Sequence, residues 1–337
     1  NTQQLKLPPP FIQVIFKSFS SRFQVDQCLT YCMINYSKSK ITLYLSPNKF
    51  TRESQKVISA AKIITFTSRK GGVGKTVCTT LLARYYAEVE GKQVVVVDFD
   101  ASCGITSIFY DRPLGEGDIS IAELLQLNEN NQDVQDAFAE ALIETGMEES
   151  SHWESSGGKI YLIPSKETLG QVIAQANPYE LREVLVSLGL PDNFIFLVDT
   201  GPEQKNVLMG VCAADVVFLP MMFSKQDVYP AVDTLRIVIE EQLKNGKAVL
   251  GGLIINDFGD TQWEQEYADH FLNVFLNLRD NIGLVTSTDH IFVKLKRSKI
   301  IKRGKHLDWS FKDAFKEAAH EMAAAVHVQQ ELPLGVI

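Results

Sequence analysis

Along this chain, short runs of apolar residues recur at 62–67, 93–99, 159–164, 193–199, 215–220 and 248–256. Each is too continuously apolar for a strand with one wet face, so these runs predict strands buried on both faces. Between them, segments at 76–90, 119–126, 132–144, 178–188, 227–243 and 262–278 place apolar residues at helical spacing. Strands alternating with amphipathic helices predict an α/β fold: a doubly wound, mostly parallel sheet with helices on both faces. Ligands of such sheets bind at the carboxyl ends of the strands. The first part of the chain reads differently, with candidate strands at 11–16 and 40–45 around a possible helix at 25–34, then a linker helix near 52–61. The expected organisation is a small N-terminal α/β extension over residues 1–58, whose role the pattern leaves open, and a main domain over 59–337.

The strongest chemical signal lies just after the first buried strand, where residues 70–76 read Lys-Gly-Gly-Val-Gly-Lys-Thr and lead into a helix. Gly71, Gly72 and Gly74 allow a turn tight enough to aim successive backbone N–H groups at one point, and the helix adds the positive end of its dipole. That is a cradle for a polyphosphate, formed by Lys70 to Val77 with Val73 inside it. Lys75 is placed to reach the β- and γ-phosphates, and the Thr76 hydroxyl to ligate Mg²⁺. Two other apolar strands close on carboxylates: one ends in Asp98-Phe99-Asp100 and one in Asp199. Asn256 stands at the end of a further strand candidate, where a turn-forming role is an equal reading.

The usual phosphate-loop pattern has a glycine where this chain has Arg69. With the extra Lys70, that departure resembles the deviant Walker A loop of the ParA/MinD superfamily of P-loop ATPases, in which a leading lysine crosses a dimer interface to the partner's phosphates. The resemblance covers roughly residues 60–310 and is nearest to the ParA branch. It implies that Lys70 acts in trans, that Asp98 lies near the metal, that Asp100 helps position the attacking water, and that Asp199 is the Walker B residue holding Mg²⁺ through water. It also places Asn256 near the adenine. Thr200-Gly201-Pro202-Glu203 would be the following switch; many ParA proteins have Asp-x-Pro-Pro there, and Gly201 departs from it.

Composition fits a large enzyme: 337 residues, 45% hydrophobic and 22% charged, enough for a substantial core. No apolar run approaches a membrane span, and the first residues lack the pattern of a secretory signal, although an Asn at position 1 leaves open whether the natural start is present. These features predict a cytosolic protein. The five cysteines fit reduced thiols. Iron–sulfur relatives of the superfamily carry cysteines after the central strands, but 200–211 has none; Cys28 and Cys32, four apart, read as core residues, and Cys78 and Cys103 as small packing residues.

Charge is unevenly placed around the net value of −8. Residues 113–158 contain no Lys or Arg and eleven acidic side chains, a stretch that repels nucleic acid and reads as a solvated helix and loop or as a face for a basic partner. Near the other end, Lys294, Lys296, Arg297, Lys299, Lys302, Arg303 and Lys305 crowd into twelve residues. Binding responds to such a local patch more than to net charge. The segment resembles the ParA stretch that contributes to sequence-independent DNA binding. Neutralising about five phosphates would give a salt slope of about −4.5, hence reversible attachment. Phe311, Phe315, Ala319, Met322 and Val326 form a helical stripe whose opposite face mixes both charges, which reads as a core-packing helix and not as a membrane-targeting one.

The expected function is therefore that of a ParA-like ATPase with ATP and Mg²⁺. It would form an ATP-sandwich homodimer, bind double-stranded DNA without sequence preference, and be reset by hydrolysis while moving or spacing a replicon or protein cargo. A basic, ParB-like adaptor and nucleoid association follow from the same resemblance, with no stable membrane insertion. The alternatives are a nucleotide-gated scaffold with negligible turnover and a MinD-like membrane-associated positioner.

Overall fold

The two faces of the central sheet are both apolar, and the alternation within single strands shows how. In the computed structural model, Val94 and Val96 enter one hydrophobic core while Val95 and Val97 enter the other; Ile195 and Leu197 are likewise opposed to Phe196 and Val198. Burying a Val, Leu or Phe side chain on either face stabilises the fold by about 1.5–3 kcal/mol, so neither face tolerates a polar substitution.

The structure describes residues 61–269 except 111, 116, 130–133, 146–156, 223, 224, 246, 260 and 267, together with 34–37, 40–43, 286, 292–296 and 312–328. The chain divides into two compact units. One is Asn1–Lys56 with Asp280–Ile282. The other is Val57–Arg279 with Gly283–Ile337. In the first unit the described residues form strands β1 (Ile34–Ser37) and β2 (Lys40–Leu43), paired antiparallel. β2 matches the expected strand at 40–45, whereas Ile34–Ser37 is extended just where the helix at 25–34 was expected to end. The rest of that helix, the strand at 11–16 and the linker helix lie outside the described residues, except for Ala61.

The second unit begins β3 (Lys62–Phe66), α1 (Lys75–Glu88), β4 (Gln93–Phe99), α2 (Thr106–Phe109), α3 (Ile121–Glu129), α4 (Val134–Ala141) and β5 (Ile143–Glu144). It continues β6 (Lys159–Ile163), α5 (Leu169–Gln175), α6 (Glu180–Ser187), β7 (Phe194–Thr200), α7 (Gln204–Ala213) and β8 (Val216–Met221). Then come α8 (Lys225–Asn245), β9 (Val249–Phe258), β10 (Phe292–Lys296) and α9 (Lys312–Val328). Residues 262–266, 268 and 269 are helical, as expected there. The eight strands order as β10-β9-β8-β3-β7-β4-β6-β5, all parallel to their neighbours except β5, which pairs antiparallel with β6. The doubly wound, mostly parallel sheet is thus observed.

Three differences from the pattern reading have physical causes. The helix expected over 132–144 ends at Ala141, and Ile143 and Glu144 instead add an edge strand whose backbone pairs with Leu162 and Tyr161. The helices α2, α5 and α7, of 4, 7 and 10 residues, were not anticipated, because each is at most about three turns long. The strand ending at Asp98, expected as the parallel neighbour of the strand before the glycine loop, is not adjacent to it: β7 lies between β3 and β4, so the chain skips a place and later fills it.

α1 is buried nearly all round, sandwiched between the sheet and α9, which contributes Ala318, Ala319, Met322, Ala323, Ala325 and Val326 to the same core. The stripe of Ala319, Met322 and Val326 therefore packs inward, as expected of a core helix; the side chains of Phe311 and Phe315 lie outside the described residues. Helices α3 to α7 cover the opposite face.

Gly158 shows how tightly this frame is closed. A Cβ there would lie 2.3 Å from the Ala87 carbonyl oxygen and 2.5 Å from that of Lys92, both backbone atoms at the α1–β4 connection. Gly158→Ala is expected to destabilise the protein by about 2 kcal/mol, read as a lower urea midpoint without loss of cooperativity.

Candidate functional site

The loop after β3 is shaped by glycines that L side chains could not replace without strain. Gly72 and Gly74 have φ of 74° and 96°, and Gly74 caps the N-terminus of α1 with no side-chain help. The first backbone amides of that helix are thus left for a ligand, with the helix dipole behind them. The start of the loop is anchored by α8. The Arg69 amide donates to Thr234 Oγ1 at 3.1 Å, and the Lys70 ammonium pairs with Asp227, a buried carboxylate in the first turn of α8. Sequence reasoning missed both α8 residues; they lie more than 150 positions away and have no motif of their own.

Lys75 is only 7% exposed, and its Nζ donates to the Lys70 carbonyl at 3.2 Å. Burial lowers its pKa, opposed by the charges of Asp199, Asp100 and Glu203. The Thr76 hydroxyl donates to Asp199 Oδ2 at 2.6 Å, joining the start of α1 to the end of β7. Asp199 Oδ1 is buried without a hydrogen-bond partner. Burial pushes the Asp199 carboxyl up to about 8, with Thr76 and Lys75 working against that shift and Asp98 and Asp100 with it.

In parallel register Asp98 stands directly beside Asp199. Its oxygens are occupied: Oδ2 accepts from the Thr106 amide at 2.9 Å and hydroxyl at 2.6 Å, and Oδ1 accepts from the Asp100 amide at 3.2 Å. Burial raises its carboxyl to about 6 despite these bonds. Asp100 is only half-buried; its Oδ1 accepts from the Ser102 amide at 2.9 Å.

Asn256, expected near an adenine, is committed to the protein. Its Nδ2 donates to the Val73 carbonyl at 3.1 Å, its Oδ1 accepts from the Asp257 amide at 2.9 Å, and its side chain occupies the space a Cβ on Gly74 would need. It clamps the loop to the end of β9. Around these groups lies an open cleft of about 610 Å³, lined by Gly71, Gly72, Gly74, Lys75, Thr76, Val77, Asp100, Ser102, Pro202, Glu203, Met222, Asn256 and Asp257. Lys70, Val73, Asp98 and Asp199 support it from behind or beside.

Among the described residues, no cluster of three or more His, Cys, Asp or Glu is arranged to hold a metal. The cleft does offer hard oxygen donors in Thr76 and Asp199, including the unpartnered Asp199 Oδ1. This set fits Mg²⁺, which takes one or two carboxylates and completes its octahedron with water and phosphate. Cys78 and Cys212 are buried free thiols and Cys103 is partly buried; Cys28 and Cys32 lie outside the described residues. Of the basic segment, Lys294 and Lys296 lie on edge strand β10, in register with Ile255 and Phe258. Arg297, Lys299, Lys302, Arg303 and Lys305 lie outside the described residues.

A glycine-shaped anion cradle at a helix N-terminus, beside carboxylate-tipped parallel strands at the point where the sheet reverses, defines a P-loop nucleotide-binding protein. Residues 64–287 match the CobQ/CobB/MinD/ParA nucleotide binding domain, and the chain belongs to that family. Solved structures share the fold. A plasmid partition protein from Borrelia burgdorferi is 21% identical, with 81% of this chain and all of that one covered and a TM-score of 0.55. Cobyrinic acid a,c-diamide synthase from Mycobacterium smegmatis, with a bound ATP analogue and magnesium, is 18% identical over 81% of this chain and 98% of that one, with a TM-score of 0.58. An ATP complex of a McdA variant from Cyanothece is 16% identical over 82% of this chain and all of that one, with a TM-score of 0.59. No curated protein sequence matches the chain.

The buried Asp199 charge has a measurable consequence. Its folded pKa of about 8 lies above the ordinary 3.8, so its contribution to stability is complete below about pH 3.8 and is lost as pH rises through 8. Asp199→Asn keeps an acceptor for Thr76 and removes the charge. In nucleotide-free protein it is expected to leave Tm almost unchanged near about pH 4, to raise it progressively as pH climbs from there toward 8, and to raise it by at least roughly 2–4 °C near about pH 9. Calorimetry across that range showing no pH-dependent gap would mean that this charge is not strained.

Proposed function

We propose that the protein is a ParA-like ATPase that dimerises around ATP, binds DNA without sequence preference in that state, and is reset by hydrolysis. The observation that carries the reading is the convergence of Lys75, Thr76, Asp199 and Asp100 on one cleft at the reversal point of the sheet. A plasmid partition protein among the structures of like fold agrees with it.

In this reading the loop amides and Lys75 take the β- and γ-phosphates, and Thr76 and Asp199 hold Mg²⁺. The ion, when bound, neutralises charge on the phosphate oxygens and stabilises the ionised form of Asp199. Asp98 adds negative charge beside Asp199 while its oxygens fix Thr106 and the Asp100 amide, which aims the Asp100 carboxylate into the cleft to orient the attacking water. Lys70 leaves Asp227 and crosses to the partner copy's phosphates. Asn256 acts on the nucleotide indirectly, by fixing the loop that cradles it.

DNA attachment falls to the segment 294–305, with Lys294, Lys296, Arg297, Lys299, Lys302, Arg303 and Lys305 neutralising phosphates. The acidic stretch 113–158 suits a basic, ParB-like adaptor, and the cycle would then work on the nucleoid in the cytoplasm, on a replicon or protein cargo. No helix among the described residues is long and apolar enough to cross a membrane, and the apolar side of α9 is already used in the core. The domain boundary near residue 58 belongs to this reading too, with residues 1–58 as an extension whose partner is open.

Phosphate release measured with and without duplex DNA and liposomes tests this directly. Stimulation by DNA and not by liposomes is expected; a protein that binds ATP but turns over under none of these conditions is a scaffold. Replacing Lys296, Arg297 and Lys299 by Glu is expected to abolish ATP-dependent retention on arbitrary duplex DNA.

Lys70→Ala gives an independent measurement. It is expected to bind ATP yet lose the ATP-dependent dimer in sedimentation and most of the turnover. A dimer of normal turnover would remove the trans role from Lys70.

A further inference from the structure

Gly201, which departs from the ParA switch pattern, lies beneath the side chain of Glu203. A Cβ built on Gly201 would lie 2.4 Å from Glu203 Oε2 and 2.8 Å from Asn206 Nδ2. The carboxylate folds back over residue 201, and a side chain there would displace it. The backbone supports this pose from below: the Gly201 amide donates to the Phe99 carbonyl at 3.0 Å, and Asn206 Nδ2 donates to the same oxygen at 3.1 Å. The end of β4, which carries Asp98 and leads to Asp100, is thereby tied to the turn that carries Glu203.

Glu203 also occupies the N-cap position of α7, with an extended backbone at φ −65° and ψ 145°, yet its side chain makes no capping hydrogen bond. An acidic residue at an N-cap normally turns its oxygens to the free amides of the first turn. Here the side chain is exposed and lines the cleft with Asp100, Lys75 and Thr76. Its charge reaches Lys75, alongside those of Asp199 and Asp100. A carboxylate free of its helix, folded over a glycine and opening on the phosphate cradle is placed to serve a ligand and not the fold.

The geometry points to Glu203 as a second catalytic carboxylate, acting with Asp100 to hold the water that attacks the terminal phosphate, with Gly201 as the residue that lets it reach. In that step the water oxygen bonds to the γ-phosphorus as the bond to the β–γ bridging oxygen breaks. The electron pair of that bond leaves on ADP, and the displaced proton passes by way of the carboxylates to the inorganic phosphate or solvent. This rests on the ATPase reading above and assigns a residue to it.

The test is a double-mutant cycle in the full chain, measuring kcat for ATP and the affinity for AMPPNP with Mg²⁺. Glu203→Gln, which keeps the size of the side chain, is expected to lower kcat about a hundredfold while AMPPNP binds as well as or more tightly than to the wild type. Gly201→Ala is expected to lower kcat by displacing the same carboxylate, and the double variant to lose little more than Glu203→Gln alone. If Gly201→Ala fails to fold, Glu203→Gln decides by itself. A Glu203→Gln enzyme with wild-type kcat overturns the proposal while leaving the ATPase reading intact, and so does a kcat loss matched by lost AMPPNP affinity or by a lower Tm. A wild-type protein without turnover overturns both.

Discussion

The hydrogen bond from Thr76 to Asp199 joins the two halves of this molecule's chemistry. It links the first turn of the helix behind the glycine loop to the tip of a central strand, across 2.6 Å and 123 residues of sequence. For it to form, β7 must insert between β3 and β4, so that Phe66 and Asp98 both stand in register with Asp199. Parallel register leaves little freedom there: sliding one strand by a residue would turn Asp199 to the opposite face and its apolar neighbours with it. The cleft is thus a by-product of how two hydrophobic cores are filled.

That placement concentrates like charge. Asp98 and Asp199 are both buried and both have raised pKa values, while Lys75, buried as well, has a lowered one. Each departs from its usual value because burial disfavours the charged form. Asp199, Asp100 and Glu203 all act on the one charge of Lys75. On the other flank, Lys70 is held within its own chain by Asp227, so any reach toward a second copy must first break an ion pair whose acid is 2% exposed.

The legible part of the site was whatever a contiguous stretch of sequence specifies. Gly72 and Gly74 take positive φ as a tight phosphate loop requires, and Asp98 and Asp199 end their strands together. Asn256 was legible as a strand-end polar residue, but not as a clamp, because its partner Val73 is remote in sequence. Likewise no linear signal marks Asp227 or Thr234 as the anchors of Lys70 and Arg69; an Asp in the first turn of a helix and a Thr near its middle carry no motif of their own. Ile143 and Glu144 read as helix because local spacing cannot detect an unpaired sheet edge that recruits them.

By itself, then, the sequence determined the class of fold, the buried strands, the anion cradle and the two aspartate tips, since periodicity and glycine chemistry act over a few residues. Only the tertiary structure decided the strand order, the carboxylate pair behind the cleft, the cis partner of Lys70 and the pose of Glu203 over Gly201. Those depend on which residues burial brings together from distant parts of the chain, and no local propensity encodes that choice.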